Sequence, residues 1–496
     1  MLENVKILES FFLRHGKKSF FHLHFFLFFM IHITAADTGN CAVFRGKLLA
    51  NLQNFFFIHK SDTLPYDIVT IKDSIESFRG KINGFWKRRK VGFKKNVLDK
   101  AFFVMYTLIE VTTRQHETDF LELPVRLYKG NPWWIRPLDN DIRNVFDPAK
   151  NPCFQNGECI RWILKDEAGQ CVGRVAAFIN RKTCHLDKYS VGQMGFFECI
   201  DDRQAAFCLF DKCREWLEGK GMEAMEGPVN FGERIEWWGL LVDGFDQSPV
   251  YAMPYTQPYY VSFFENYGFR DFFKQFTFRT RLVMDSLSKI VVWKADRILK
   301  NPDYTVQTYG DIGKQKAIEA LLEVYNKAWN LEVHGVDGIT REQVEAIYKS
   351  LQPIIDKDLI YFAFYKEQPI GFFLMFPEIN QVVRHLNGKM NLWGGLKLMY
   401  YRHFRKIDVA LGQLFGVVPE FQGKGVEAAM IKRFTERIIE ANREYKYLEL
   451  NWVGDFNPPM IHLMDYIGAK AWRTHITYRK LFREDIEFVR SVDKMN

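Results

Sequence analysis

One order of elements occurs twice in this 496-residue chain, and that repetition limits its fold more than any single motif does. In the first series, Val172 to Asn180 and Gly192 to Ile200 read as strands. Arg203 to Glu218 is an amphipathic helix with Ala206, Leu209, Phe210, Cys213 and Leu217 on one face. Ala224 to Val229 is a short strand, 259–269 a helix stopped by Gly268, and Phe272 to Thr280 a closing strand. The second series opens with helices Ile318 to Trp329 and Glu342 to Ile355, then strands Leu359 to Tyr365 and Ile370 to Phe376 around a turn at Gln368-Pro369. Strand Val409 to Val418 leads into helix Gly425 to Ala441, which carries Val426, Ala429, Met430, Phe434 and Ile438 on one face. Strand Tyr447 to Val453, helix Pro458 to Ile467 stopped by Gly468, and strand Ala471 to Tyr478 complete it. The pattern predicts two copies of one α/β unit, each with a mixed sheet. The expected boundaries are 105–285 and 310–484, joined by a connector over 286–309 and followed by a tail over 485–496.

Charge is unevenly spread. The chain carries +8 overall, but residues 1–104 alone hold 17 basic and 8 acidic side chains, so the remainder is close to neutral. Those 104 residues also hold 17 of the 46 Phe, without a period that any element needs. Three readings of this leader stand. The first takes Met105 as the true start, with AT-rich upstream sequence translated before it. The second is a membrane anchor or signal built on Phe20 to Ile33, which is shorter than the ~20 apolar residues of a spanning helix. The third is a basic domain. A near-neutral body argues against nucleic acid as a partner. The eight Cys include no CxxC pair, which predicts buried thiols in a reducing, cytoplasmic setting and no metal site.

The chemistry is concentrated at Val417-Val-Pro-Glu-Phe-Gln-Gly-Lys-Gly-Val426, where a strand ends and a helix begins. Gly423 and Gly425 allow a tight turn with bare N–H groups, and the helix N-terminus adds partial positive charge. Such a turn cradles phosphate oxygens. It lacks the Ser or Thr of a Walker loop and the spacing of a dinucleotide loop.

The strand, the Gln422-Gly-Lys-Gly425 turn and the helix resemble the acyl-CoA pyrophosphate loop of the GNAT N-acetyltransferase superfamily, whose pattern is Gln/Arg-x-x-Gly-x-Gly/Ala. Asn457-x-x-Met460-x-x-Leu463 and Gly468 resemble a later helix of that family. Residues 310–480 carry the likeness, and 105–285 resemble the same fold without its loop, a degenerate copy. Gly227-Pro-Val-Asn-Phe231, Gly239-Leu-Leu-Val-Asp-Gly-Phe245 and Glu378-Ile-Asn-Gln381 resemble a group of bacterial tandem GNAT-like proteins of unassigned substrate. The resemblance implies an acyl-CoA-dependent N-acyltransferase using acetyl-CoA or a longer acyl-CoA. It implies that the N–H groups of Gln422, Gly423, Lys424, Gly425 and Val426 hold pyrophosphate. Val417 and Val418 would then pair with the pantetheine arm, and Asn457 would contact that arm.

Two positions depart from the family. Glu427 replaces the last small residue of the loop, and it either fills the phosphate site or turns outward as a first-turn residue. The family's proton-donating Tyr falls on Met464, and on Phe264 in the first copy. At the first copy's loop position stands Glu198-Cys-Ile-Asp-Asp-Arg203, which suits helix capping rather than phosphate. A catalytically silent binding protein is therefore the alternative reading, and a relative of aminoacyl-tRNA-using ligases a third. Candidate catalytic residues are Glu449, as a base for the acceptor amine, and Asn451 on the same strand face. Glu449 also reads as a solvent-facing or salt-bridged strand residue, and Asn451 as one that orients a substrate. Asn230, Glu233, Trp237 and Trp238 are candidates for an acceptor pocket, with core packing at the junction as the other reading. The acceptor is expected to be a small-molecule or peptide amine.

Residues 380–407 insert between two strands of the second unit. They carry Arg384, Lys389, Lys397, Arg402, Arg405 and Lys406 and no acidic residue. Leu392, Trp393, Leu396, Met399 and Tyr400 add an apolar stripe. The expectation is packing against the first unit with a solvated basic face; an anionic membrane and cover for a long acyl chain are the alternatives. Membrane contact is expected only here or through the leader.

Overall fold

The computed structural model describes residues 105–494, except 233, 329–337, 405–406 and 442. The readings made of the leader, and Glu233, lie outside the described residues.

The chain opens with β1 (Thr107–Glu110), α1 (Arg114–Leu127) and α2 (Asp139–Val145), followed by β2 (Gly157–Lys165), β3 (Cys171–Asn180) and β4 (Val191–Cys199). Then come α3 (Arg203–Gly219), β5 (Ala224–Gly227), β6 (Leu240–Asp243), α4 (Tyr260–Tyr267) and β7 (Arg270–Arg281). Within the expected connector lies a helix, α5 (Lys289–Leu299), which bridges to β8 (Tyr304–Thr308), α6 (Tyr309–Ala328), α7 (Arg341–Leu351), β9 (Ile360–Tyr365) and β10 (Gln368–Pro377). The insert holds α8 (Asn380–Val383) and α9 (Leu392–Phe404). The chain closes with β11 (Val409–Val417), α10 (Val426–Glu440), β12 (Tyr447–Gly454), α11 (Pro458–Tyr466) and β13 (Lys470–Leu481).

Local chemistry explains these elements. Thr113 and Asp202 cap α1 and α3 by accepting from His116 N and Ala205 N. Thr340 and Gln343 form a reciprocal capping box on α7. Strand β3 is buried at every position but its last, as befits a central strand covered on both faces. Helix α3 lays Ala206, Leu209, Phe210, Cys213 and Leu217 on it, and α10 buries Val426, Ala429, Met430, Phe434 and Ile438 in the second core. Burying Phe210 or Phe434 contributes about 2–3 kcal/mol each. Gly268 (φ 94°) caps α4 in the left-handed region, and Gly468 (φ 66°) follows α11.

Twelve strands lie in the order β1-β2-β3-β4-β5-β13-β7-β12-β11-β10-β9-β8, with β6 paired to β13. This order reads the same from either end once each strand is matched with its counterpart in the other series. The parallel pairs are β4 with β5 and β11 with β12. Each series gives its last strand to the other. β7 leaves β5 and pairs with β12, Leu450 opposite Phe278. β13 returns to fill the vacated place, with Arg479 opposite Glu226. Arg479 ties it there through Glu226 and through Asp187 at 2.6 Å.

Candidate functional site

The parallel pair in each series marks where a sheet of this order can open. In the second series, β11 and β12 pair from Val409 with Tyr447 as far as Gly412 with Leu450, and then part. Gln413 and Asn451 are the first residues beyond the last pair. Gln413 Oε1 and both polar atoms of the Asn451 amide are buried without a hydrogen-bond partner. Buried amides are nearly always satisfied, so three orphaned atoms at one parting mark a place built for something polar.

The glycine turn lies at the far end of β11. Gly425 (φ 104°) is the N-cap of α10, and no side chain caps that helix. A Cβ on Gly425 would stand 3.2 Å from Lys294 O and 3.4 Å from Ile298 Cγ1, because α5 packs directly on the turn. Arg297 of α5 donates to Lys424 O at 2.9 Å. The first-turn N–H groups of α10 thus stand at a fixed, uncapped helix start, the arrangement that holds a phosphate. Several groups of the turn are already engaged, and of the N–H groups expected to hold pyrophosphate Gln422 N donates to Pro419 O at 3.3 Å and Lys424 N to Phe421 O at 3.4 Å. Gln422 Nε2 donates to Val417 O at 2.9 Å, and Val418 N donates to Ile370 O at 2.9 Å. Glu427 turns toward the loop rather than outward: Oε1 accepts the Gly423 N–H at 3.1 Å. Asn457 caps α11 by accepting from Met460 N at 3.3 Å. Met464 and Phe264 are buried in the two cores.

The first series is closed at both corresponding places. Beyond the β4–β5 pairing, Val229 N donates to Met194 O at 2.9 Å, and a Cβ on Gly195 would meet Val229 O at 1.8 Å. Only glycine admits that approach. Further along, Tyr128 and Tyr260 each donate to Glu198 Oε2 at 2.9 Å. Burial pushes Glu198 up to about 7. Asp202 supplies the cap that α10 lacks, at 2.9 Å from Ala205 N.

The chain between β5 and α4, residues 228–259, roofs the second copy's opening. Val250 and Met253 pack on Leu411 and Trp452. Trp452 Nε1 donates to Arg234 O at 3.0 Å. Of the acceptor-pocket candidates, Asn230 and Trp238 are buried, with Asn230 Oδ1 and Trp238 Nε1 unpartnered. Trp237 (φ 44°) instead lines a cleft of the first copy with Phe196, Pro228 and Trp134.

Glu449 belongs to a buried charge cluster beneath that roof. Its carboxylate meets Arg473, and Arg279 at 3.3 Å. Arg473 also donates to Ser248 O, and nearby Glu378 accepts from Asn380 N at 2.8 Å and Tyr251 N at 3.1 Å. Both Glu449 oxygens are therefore taken by guanidinium groups from β7 and β13. Only the strand exchange brings these partners together, so spacing along the chain gave no signal of them. His475, on β13, donates from Nε2 to Pro254 O at 3.0 Å, and burial pulls it down to about 4.

Burial first, and the charge of Glu449 second, push Glu378 up from 4.5 to about 8. The folded chain then keeps a proton that the unfolded chain releases, so this group's contribution to stability is full below pH 4.5 and falls as pH rises toward 8. Glu378→Gln is expected to flatten that decline. Urea midpoints at pH 5 and pH 8 should converge in the variant, and an unchanged gap would refute the assignment.

No protein-family model matches the chain. It is 28% identical over 368 residues to Protein YghO of Escherichia coli (strain K12), covering 73% of this chain and 92% of that protein. It is 27% identical over 380 residues to the bacterial ceramide synthase of Caulobacter vibrioides, covering 75% of this chain and 97% of that one. Among solved structures it is similar to the tandem GNAT protein from the clavulanic acid biosynthesis pathway, at 10% identity and a TM-score of 0.45, over 77% of this chain and 100% of that one. With its mirrored strand order and its two parallel pairs, the chain is two copies of one mixed α/β unit, the first copy closed and the second open at its glycine loop.

Proposed function

We propose that the chain is an acyl-CoA-dependent N-acyltransferase whose second unit holds the acyl donor. The observation that carries this reading is the opening between β11 and β12, with the orphaned amides of Gln413 and Asn451 at its apex and an uncapped helix start at its rim. The reaction forms a C–N amide bond and breaks a C–S bond, with the amine proton ending on the departing thiol. Gln413 and Asn451 hold polar atoms of the donor arm or the acceptor. Gly425, Val426 and the following N–H groups face the pyrophosphate. Glu449, held by two guanidiniums, fixes the floor of the acceptor side. The acceptor is a long-chain amine. The likeness to a bacterial ceramide synthase supports this, since a ceramide is a fatty amide of such an amine. So do Trp452, Phe273 and Phe456, which pack beside the opening.

A catalytically silent binding protein is favoured by one observation, the Glu427 carboxylate seated on Gly423 N. It occupies a donor that phosphate would use and opposes its charge. Under the enzyme reading, Glu427→Gln tightens acyl-CoA binding about fivefold, the worth of one partly exposed charge contact of about 1 kcal/mol. Thermal shift with acetyl-CoA and a sixteen-carbon acyl-CoA tests this, because a ligand at 100 times its Kd adds about 2.7 kcal/mol. Release of free thiol on adding a long-chain amine then tests turnover. Absence of any shift in both the wild type and Glu427→Gln would refute acyl-CoA binding.

A further inference from the structure

The insert packs against the first unit through its first half, Val383 and Leu386 meeting Ile135 and Leu138, while helix α9 leaves its apolar stripe uncovered. Leu392 is 79% exposed, Trp393 71% and Met399 69%, and Leu396, Tyr400 and Phe404 are also exposed. Gly394 is buried, and Tyr401 stacks on His385 with ring centroids 4.2 Å apart, so the helix is fixed by its inner side. The corresponding connection of the first copy, between β3 and β4, carries no helix. Exposed Arg384, Lys389 and Lys397 stand on and beside the apolar surface, and no acidic residue occurs from 380 to 407. Below α9 lies a pocket lined by Pro353, Ile354, Pro377, Ile379, Val382 and Leu398, with Met399 at its edge. Met399 belongs both to this pocket and to the exposed face, so the pocket opens onto that face.

We propose that α9 is an in-plane membrane helix that seats the protein on an anionic lipid surface. Thirteen residues are too few to cross a bilayer, and among the described residues no helix is long and apolar enough to do so. A short helix with Trp and Tyr among Leu and Met, flanked by cations, is suited to the headgroup boundary instead. The charge pattern selects the occupant. A second copy would bring cations against cations, whereas an anionic leaflet attracts each one by about fivefold in affinity. The apolar pocket opening onto the same face is a place for a lipid chain. This inference does not rest on the acyl-CoA reading, because vesicle binding is measured without turnover.

The test is co-sedimentation of the full chain with vesicles of phosphatidylcholine alone or mixed with phosphatidylglycerol. Binding is expected to be at least about tenfold stronger on the anionic vesicles and to weaken with salt. The Leu392→Ser, Trp393→Ser, Met399→Ser triple variant should lose about tenfold or more with an unchanged urea midpoint, since its targets are exposed. Lys389→Glu with Lys397→Glu should erase the preference for anionic vesicles and serves if the triple variant misfolds. Equal binding to both vesicle types, or wild-type binding by both variants, overturns the proposal. A wild-type dimer that the triple variant turns into a monomer also overturns it, in favour of self-association.

Discussion

Arg473→Met is expected to destabilise the protein by about 3–5 kcal/mol, read as a fall in the urea midpoint at pH 7. Arg473 and Glu449 side chains are 2% and 6% exposed. Removing the guanidinium leaves Glu449 with Arg279 alone at 3.3 Å, beside Glu378, and leaves Ser248 O without its donor. The cost is mostly that of a carboxylate stranded in a poorly solvated place rather than of one lost contact. Glu449→Gln added to Arg473→Met should therefore recover much of the loss. If the single variant unfolds at the wild-type urea concentration, the cluster does not hold β13 against β7 and β12. If the double variant is as unstable as the single one, the loss came from packing and not from charge.

Gly425→Val should have the second largest effect, on binding more than on folding. A β-branched residue at φ 104° is strained by about 1–3 kcal/mol, and its Cβ would crowd Lys294 O at 3.2 Å. The turn can relieve this only by moving away from α5, which shifts the uncapped helix start. Acyl-CoA affinity should fall about 100-fold, near 2.7 kcal/mol, by isothermal titration. Gly423→Ala is the matched control. Its φ is 70°, but nothing lies within 4 Å of its added Cβ, so it carries the strain without the displacement. Equal losses in both variants would show that α5 does not position the loop.

Most elements were legible because their periodicity is local. The helix bounded by Gly425 and Ala441 in the sequence is Val426–Glu440 in the structure, and the strand from Val409 ends at Val417. β2, Gly-Glu-Cys-Ile-Arg-Trp-Ile-Leu-Lys, escaped because it follows an Asn- and Asp-rich loop and has no clean alternation. α5, which falls in the expected connector, carries a readable signal: Ser288 as cap with Val291, Ala295 and Ile298 on one face. The glycine turn could be read because left-handed backbone needs a particular residue type. The meaning of Gln413 could not, since it depends on where two strands separated by a whole helix cease to pair. Glu449 is open in the sequence to reading as a base, a solvent-facing residue or a salt-bridged one for the same reason, and the structure buries it. Its partners, Arg279 and Arg473, come from strands whose neighbours are decided by exchange and not by proximity in the chain.

That exchange also orders events during synthesis. The first copy is translated well before β13, yet its sheet has a gap between β5 and β7 that only β13 fills. Until the last strand leaves the ribosome, the nascent first copy exposes the edge of β5 and the Phe264 and Phe269 side of its core, against which Tyr478 and Ile476 later pack. An unpaired edge beside an apolar surface is what chaperones bind and what aggregation begins from. A stop codon only a few residues before β13 would therefore cripple the domain made first, and not merely the one left short.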